Sequence, residues 1–600
     1  TQRRILIMAE NQQQENVFKE TKESMVSQMG KTEDWWAIWL AGLLFVIFTI
    51  SCFVWKPPVE ELPQYRTVMD QELEQAGFKT IAYIEAEKEL ESIRARNHGL
   101  TKWIRDITER PKRWSTNPVH SLYLSEEAAA AKRAEAAGDL ETAQQELEQT
   151  REQAEEAENA ARSAQFQDDD LNEEARSAIT EWRQASSAFS KAESAANVEA
   201  YNLIPSLIIL GIVIMLLFAI GGNFIGFNLK EYFIGFPVIY VLTILAYMLG
   251  NQANFKSIGI SYVLFAIFLG LIIANTTGVT RSIKTAGQTE FFIKTGLVLL
   301  GAAILFGQIA LIGIPGLFVT WVVTPIVLIT TYWFGQNVIK MPSKELNITV
   351  SSDMCVSGVS AAIATASACR AKKEELTLSI GMSMIFVAIM IFLLPAIAKI
   401  TGMHPVWAGA WLGGTVDNTG SVVAAGELIG YEAMVVAATI KMIQNIMIGV
   451  IAFGVAAYWC LKVEPERACK PGETPMKLSF GGALYEVWYR FPKFILGFIG
   501  ASIIFSIMQA GISPDWGNAM VNEGILSLAN RYRGWFFGLA FVSIGLSISY
   551  QELKEPLRGG KPLILYVFGQ GFNLLLTLFV AWLMFMVIFR DITEKLMMGS

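Results

Sequence analysis

Thirteen apolar segments, most of them roughly 20 residues long, constrain the fold of this chain more than any other feature. A helix of that length spans the hydrocarbon core of a bilayer, which is about 30 Å thick. Only 17% of the residues are charged, against roughly 25% in soluble proteins, which excludes an ordinary soluble protein. The sequence therefore predicts an all-α polytopic membrane protein. The predicted spans are residues 36–55, 203–221, 234–250, 258–275, 291–310, 315–335, 346–368, 378–400, 405–427, 435–461, 491–512, 533–549 and 562–588.

A polar insert, residues 56–202, separates the first span from the others. It holds 30 of the 55 acidic residues and 18 of the 48 basic residues, so its net charge is −12. An Ala/Glu/Gln-rich run from Ser125 to Gln165, a turn at 167–170 and a second run to Tyr201 predict a helical hairpin or coiled-coil stalk. A platform that binds a ligand or a partner is the alternative interpretation.

The lysines and arginines of the short loops predict the orientation. With a cytoplasmic N-terminus, twenty lie on the cytoplasmic side and nine on the other, not counting the insert. We expect a multi-pass protein of a bacterial-type inner membrane, whose first span is an uncleaved signal anchor. The predicted organisation is a cytoplasmic N-terminal segment (1–35), the signal-anchor helix (36–55), an extracytoplasmic acidic helical domain (56–202), a transmembrane transporter domain (203–590) and a C-terminal tail (591–600).

The segment from Ile348 to Leu376 is too polar for a simple span. Small and hydroxyl-bearing residues let a helix break, and the N-terminus of a half-helix attracts an anion. Close helix packing through small residues would explain the same pattern without a substrate. The residues predicted to bind substrate here are Ser357, Gly358 and Ser360, and Asp353 is predicted to couple transport to an ion.

The segment from Trp407 to Ala433 has a polar, Gly-bounded centre. A carboxylate at that depth costs several kcal/mol unless it is paired, hydrated or protonated. Asp417 is therefore predicted to carry a coupling proton or, with the oxygens of Asn418 and Thr419, to bind Na⁺. A re-entrant loop that reaches the interface is the alternative. The residues predicted to bind substrate here are Thr415, Asn418, Thr419 and Ser421.

One further charge lies inside an apolar segment, at Lys441. It is the candidate partner of Asp417 or Asp353, and snorkelling of its side chain to an interface is the alternative. Gln444, on the same predicted helix, adds an uncharged donor and is predicted to bind substrate.

Two stretches of the chain resemble each other. Residues 294–309 and 533–553 each contain two spaced glycines within an apolar run and end on polar residues. Such an echo predicts a duplicated transporter core with inverted halves, although Gly-rich helices also match by composition.

Four motifs resemble those of the YeiH-like sulfate exporter family. They are SGVSAAIATASACRAKKEE, WAGA, VVAAG and ATIKMIQN, and the resemblance covers residues 235–590. It implies a distant relationship to bile-acid and cation/proton transporters, with crossed, broken helices. Ser357 stands where that family has Cys, Asp417-Asn418 where it has His-Asp, and Gln444 where Arg is expected. These differences make the centre more negative, which favours a bound Na⁺ or H⁺.

We therefore expect an ion-coupled secondary transporter of a small anion, such as sulfate, a sulfonate or a carboxylate, that works by alternating access. The sequence has no P-loop motif and no nucleophile–base set, so neither a pump nor an enzyme is expected. No cofactor other than Na⁺ is expected, and the expected partners are membrane lipid and a second copy of the chain, without nucleic acid. The alternatives are a cation/proton antiporter and a receptor or scaffold that acts through residues 56–202.

Overall fold

The computed structural model describes residues 29–258, 260–304, 306–463, 488, 491–549 and 560–598. Most of the predicted N-terminal segment (1–35) and the last two residues of the predicted tail (591–600) lie outside the described residues.

The first membrane helix leads into an insert with five helices rather than two. A helical hairpin corresponding to the predicted one is formed by the last two, and a short two-stranded sheet closes the insert at its base. The elements are α1 (Glu33–Val54), α2 (Leu62–Ala76), α3 (Ile81–Ser92), α4 (Gly99–Ile107), β1 (Tyr123–Leu124), α5 (Glu126–Ser163), α6 (Asp169–Ala196) and β2 (Tyr201–Asn202).

Side-chain caps begin both helices of the hairpin. The Ser125 hydroxyl accepts a hydrogen bond from the amide of Ala128 at 3.2 Å, and the Asp168 carboxylate accepts one from Leu171 at 3.2 Å. The carboxylate of Glu158, on α5, accepts a hydrogen bond from the amide of Ile81 at 2.8 Å. This contact joins the hairpin to the start of α3.

The remainder of the described chain is helical. Seven helices of the described residues are long and apolar enough to cross a membrane, which agrees with a multi-pass membrane protein. The helices that follow the insert are α7 (Ile204–Ile225), α8 (Leu229–Gly250), α9 (Ala253–Ser257), α10 (Tyr262–Thr276), α11 (Arg281–Ala286), α12 (Thr289–Ala303), α13 (Phe306–Leu317), α14 (Val323–Phe334), α15 (Lys344–Asp353), α16 (Val359–Cys369) and α17 (Lys373–Ile400).

Short π-helical stretches extend or join several of the membrane helices. They lie at Phe318–Val322, Gly335–Ile339, Trp459–Val463, Gly517–Leu526 and Leu583–Ile588. The last helices are α18 (Pro405–Thr415), α19 (Thr419–Ile429), α20 (Tyr431–Asn445), α21 (Met447–Tyr458), α22 (Phe494–Ala510), α23 (Pro514–Trp516), α24 (Ser527–Ser547), α25 (Lys561–Trp582) and α26 (Arg590–Met598).

The insert is bonded to one side of the helical bundle, which we call the insert side; the opposite side is the far side. The Trp535 indole, on α24, donates a hydrogen bond to Thr108 O at 3.0 Å. The Trp114 indole donates one to Met248 O, on α8, at 2.7 Å. The insert therefore rests on α24 and on the end of α8.

The predicted span at 346–368 is wrong, because this segment returns to the side where it begins. The Cys369 thiol lies 3.9 Å from Glu345 O, and the Thr365 hydroxyl donates to that of Ser352 at 2.7 Å. Helices α15 and α16 therefore lie side by side. The chain reverses at Gly358, whose φ of +57° favours glycine. We call α15 and α16 the far-side hairpin.

The predicted span at 405–427 is wrong for the same reason, and the re-entrant alternative describes it better. Both α18 and α19 pack on the first half of α20. A Cβ atom on Gly409 would lie 2.5 Å from Ala433 O, and one on Gly426 would lie 2.6 Å from Met434 Cα. Residues on the two arms thus meet the same turn of α20. We call α18 and α19 the insert-side hairpin.

Helix α25 shows that the two hairpins open to opposite sides. The Lys561 ammonium, at its start, donates to Lys340 O beside the base of the far-side hairpin at 3.0 Å. Farther along, Leu578 O accepts a hydrogen bond from Trp407, at the base of the insert-side hairpin, at 3.2 Å. Helix α17 runs between the same two bases.

This path changes the predicted sides of four basic residues. Arg370, Lys372 and Lys373 lie on the far side and Lys399 lies on the insert side, the reverse of the prediction. The predicted count is twenty basic residues on the cytoplasmic side and nine on the other; with this path it becomes twenty-two and seven. The re-entrant path thus strengthens the charge asymmetry that predicts a cytoplasmic far side.

Cysteine labelling tests this path. We expect a membrane-impermeant maleimide to label Lys399→Cys from the same side as Glu135→Cys on α5, and Lys373→Cys only from the opposite side. The assay compares vesicles of both orientations, and the parent protein corrects for native cysteines, of which Cys52, Cys355 and Cys369 are buried. Labelling of Lys373→Cys and Glu135→Cys from one side would contradict the hairpins.

Candidate functional site

The tips of the two hairpins meet inside the bundle. A Cβ atom on Gly358 would lie 3.0 Å from Asp417 O, so the far-side tip touches the insert-side tip. Each tip joins the C-terminus of one half-helix to the N-terminus of the next. Two positive and two negative helix ends therefore converge on one place.

The negative ends of the half-helices are neutralised by side chains of α20 and α25. C-terminal carbonyl groups that lack helical partners need donors when they are buried. Four residues supply them: Lys441 donates to Val356 O, Gln444 to Cys355 O at 3.0 Å and Gly414 O at 3.1 Å, Gln570 to Thr415 O at 3.1 Å, and Asn573 to Met354 O at 3.4 Å.

The two buried carboxylates lie near these ends and are linked by hydroxyl groups. The Tyr566 hydroxyl donates to Asp417 Oδ2 at 2.8 Å, and the Ser379 hydroxyl donates to Asp353 Oδ2 at 2.6 Å. The Ser383 side chain lies near both Asp353 and Tyr566. Asp353 Oδ1 is buried and has no hydrogen-bond partner among the described residues. Hydroxyl groups of Ser379, Ser383 and Tyr566 therefore lie between the two carboxylates.

Lys441 is buried, with 1% of its surface exposed. Its ammonium donates to Gln444 Oε1 at 2.7 Å and to the carbonyl of Val356. Within the part of the chain that the structure describes, it makes no ion pair with Asp417 or Asp353 at 4.0 Å or less. It attracts the Asp417 carboxylate from farther away. The alternative interpretation, snorkelling of this side chain to an interface, does not fit its burial.

The positive ends of the half-helices face a cavity of about 480 Å³. No side chain caps the N-terminus of α16, because the capping residue is Gly358. Four predicted substrate-binding residues line the cavity, namely Ser357, Ser360, Asn418 and Thr419. The other four, Gly358, Thr415, Ser421 and Gln444, are not among its lining residues, and Asn445 of α20 lines it instead.

The predicted sodium ligands do not gather around one point. Asn418 Oδ1 accepts a hydrogen bond from the amide of Ser421 at 3.1 Å and so caps α19. Thr419 accepts one from Asn445 at 3.1 Å beside the cavity. The Asp417 side chain instead contacts Tyr566. Of these three residues, only Asp417 lies with the other predicted buried charges, Asp353 and Lys441.

Charged residues that the prediction did not include lie on the cavity. The Lys294 ammonium, on α12, lies 2.8 Å from Glu33 Oε1 and 2.9 Å from Asp34 Oδ1 at the start of α1. Glu290 accepts a hydrogen bond from Asn418 at 2.9 Å. Lys493 also lines the cavity. Lys294 stands within an apolar run, a signal that could have identified it.

Replacing Gly358 with alanine is expected to lower both the melting temperature and substrate binding. The positive φ costs about 1–3 kcal/mol for other residues, and the new Cβ would lie 3.1 Å from the Ser383 hydroxyl. Thermal unfolding and anion binding measure the two effects. Gly402→Ala is the matched control, because its φ is +62° and nothing lies within 4 Å. Equal loss of binding in both variants would contradict the close contact at the tip.

Comparisons with known proteins agree with a membrane protein. Two proteins of Nitratidesulfovibrio vulgaris, each named UPF0324 membrane protein, are 47% and 45% identical over 593 residues, which cover 98% of this chain and all of theirs. A UPF0324 membrane protein of Rhodopirellula baltica is 51% identical over 387 residues, 64% of this chain and 69% of its own length. No solved structure matches the chain.

The family match corrects the resemblance described above. The matching model is described as Conserved hypothetical protein 698 and covers residues 234–566. Neither this description nor the names of the three relatives mention sulfate export or bile-acid transport. The two long alignments include the insert, whereas the family model begins after it. The chain belongs to the Conserved hypothetical protein 698 family of membrane proteins.

Proposed function

We propose that this protein is an ion-coupled secondary transporter of a small anion in a bacterial inner membrane. The observation that carries the proposal is the meeting of two oppositely directed hairpins at a cavity that faces their positive helix ends. Broken helices with their termini near the middle of the membrane are typical binding sites of secondary transporters.

The helix ends at the cavity favour an anion. Amide groups at the N-terminus of α16, the hydroxyl of Ser360 and the ammonium groups of Lys294 and Lys493 lie around it, and the carboxylates of Asp34 and Glu290 balance the two ammonium charges. Donors that converge in this way bind an oxyanion or a carboxylate. A volume of about 480 Å³ accommodates a small anion with some of its water. Sulfate, sulfonates and small carboxylates are the compounds to test first.

The coupling ion binds behind the cavity, at Asp417 and Asp353. Hydroxyl groups link the two carboxylates, and Asp353 Oδ1 lacks a partner among the described residues. An unpartnered buried carboxylate oxygen is costly unless it takes up a proton or contacts a cation. The hydroxyl chain favours H⁺, and Na⁺ is the second ion to test.

The arrangement of the core supports duplication with inverted halves. Helix α12 starts on the far side beside Glu33, and α24 starts on the insert side, where Ser527 accepts a hydrogen bond from Arg96 at 3.2 Å. These helices carry the two echoed stretches, and their first turns lie on opposite sides. The two hairpins likewise enter the bundle from opposite sides. Such symmetry suits alternating access, in which one half-site opens as the other closes.

Transport in proteoliposomes tests the proposal. The purified full chain is reconstituted, and uptake of radiolabelled sulfate, taurine and succinate is measured with an imposed pH gradient, a Na⁺ gradient or neither. We expect uptake of at least one anion that depends on a gradient. Protein-dependent cation/proton exchange without any anion would instead establish an antiporter. A receptor would be favoured if the folded protein carries neither flux and if deletion of residues 126–196 abolishes its function in the cell.

A second copy of the chain is the expected partner, and the dimer remains a prediction. Cross-linking in native membranes at several protein concentrations measures the fraction of the protein that is dimeric.

A further inference from the structure

A second polar cavity lies on the insert side, between the insert and the start of α24. Its volume is about 300 Å³. Its lining combines the turn around Arg96, helix α4 with the residues that follow it, and one residue of the membrane domain. The lining residues are Arg96, Asn97, Arg105, Asp106, Glu109 and Arg531.

The two acidic residues of this cavity already have partners. Asp106 Oδ1 accepts hydrogen bonds from Arg105 at 2.9 and 2.7 Å. The Glu109 carboxylate lies 3.6 Å from the Lys112 ammonium. Arg96 is paired with Glu523, outside the cavity, at 2.7 Å. Asp106 and Glu109 therefore each have a basic partner other than Arg531.

Arg531 is a partly buried cation among other cations. Within the described residues its guanidinium makes no hydrogen bond or ion pair, although Arg96, Arg105 and Arg110 lie near enough to repel it. Glu109 is the neighbour that attracts it. A guanidinium that lines a polar cavity without an ion pair has donors available to a bound anion. The excess of positive charge calls for an anion in this cavity.

We propose that the cavity binds a compact oxyanion through Arg531, with Arg105 beside it. A guanidinium donates two parallel hydrogen bonds to two oxygens of one sulfate, phosphate or carboxylate group. The site therefore prefers anions that present two such oxygens. A free anion and the phosphate of a lipid headgroup share this chemistry. The site is separate from the central cavity and does not depend on the proposed transport function.

Chemical labelling of arginine tests the site in the full-length protein. Purified protein in nanodiscs of phosphatidylcholine is treated with p-hydroxyphenylglyoxal, with or without sodium sulfate, and labelled peptides are quantified by mass spectrometry. We expect sulfate to slow labelling of Arg531 about tenfold. Arg176 of α6, which lies 3.6 Å from Glu173 and 5.2 Å from the centre of the Phe78 ring, is the internal reference. Equal effects on both arginines would overturn the proposal.

Repeating the labelling in nanodiscs that contain phosphatidylglycerol distinguishes a lipid headgroup from a free anion. Protection there without sulfate assigns the site to a headgroup, and protection by sulfate in phosphatidylcholine assigns it to a free anion. If labelling of Arg531 is slowed neither by sulfate nor by phosphatidylglycerol, the proposed site is wrong.

Calorimetric titration with sulfate provides a second measurement. We expect Arg531→Gln to remove one binding event, Arg531→Lys to weaken it, and Asp417→Asn to leave it unchanged. An identical titration of the wild type and Arg531→Gln would overturn the site. Failure at the central cavity would leave this binding event intact, so the two proposals are separable.

Discussion

Replacing Asp417 with asparagine is expected to abolish the dependence of anion uptake on an ion gradient while the protein still folds. The side chain is 1% exposed and accepts a hydrogen bond from Tyr566, which the amide oxygen of asparagine can also accept. The variant keeps the shape and the hydrogen bond and loses the carboxylate that we propose takes up the ion. Anion exchange between equal concentrations on both sides should persist.

Counterflow and gradient-driven uptake in the same proteoliposomes measure this difference. We expect gradient-driven accumulation to fall by about two orders of magnitude, the equivalent of roughly 2.7 kcal/mol. Glu432→Gln is the control, because Glu432 lies in the first turn of α20 away from the hairpin tips. Accumulation by Asp417→Asn at the wild-type level would remove Asp417 from the coupling mechanism.

Replacing Lys441 with methionine is expected to prevent stable folding. The ammonium is a donor to Val356 O and compensates the charge of Asp417 at a distance. Leaving a buried acceptor without its donor costs about 1–3 kcal/mol, and more when a charged group is involved. That is a large part of the stability of many proteins. Thermal unfolding followed by size-exclusion chromatography in detergent should show a large loss of folded protein.

A double variant separates the loss of charge from the loss of packing. Lys441→Met combined with Asp417→Asn leaves no uncompensated charge, so we expect it to be more stable than Lys441→Met alone. Lys344→Met, at an exposed position, should change the free energy of unfolding by less than about 0.5 kcal/mol. If the double variant is no more stable than Lys441→Met, electrostatic compensation of Asp417 is not the role of the lysine.

Sequence reasoning located the two polar segments but not their path. Gly358 and the residues 415–421 were expected to break helices, and the structure has helix ends at these places. Yet 23 apolar residues satisfy two geometries equally well. They form one helix across about 30 Å, or two half-helices of 11 residues that each reach about 16 Å. Hydropathy measures only length and polarity, so it cannot reveal the reversal.

The contacts that assemble the site could not be read from the sequence. Tyr566 and Gln570 lie in an apolar segment without special spacing, and they reach the tips only because α25 passes both hairpins. Lys294 did carry a signal, a charge within an apolar run. Its significance depends on the cavity beside it and on Glu33, 261 residues earlier in the chain.

The attachment of the insert determines which helices keep a fixed position relative to it. Trp535 and Trp114 fix it to α24 and α8, and Asp515 pairs with Arg66 on α2. The hairpin tips lie on other elements. In the transport cycle that we propose, we expect the hairpins to move while the insert stays with α8 and α24, so a label on α5 would report no displacement relative to α8. The insert would then provide a fixed reference point from which movement of the hairpins can be measured as a distance.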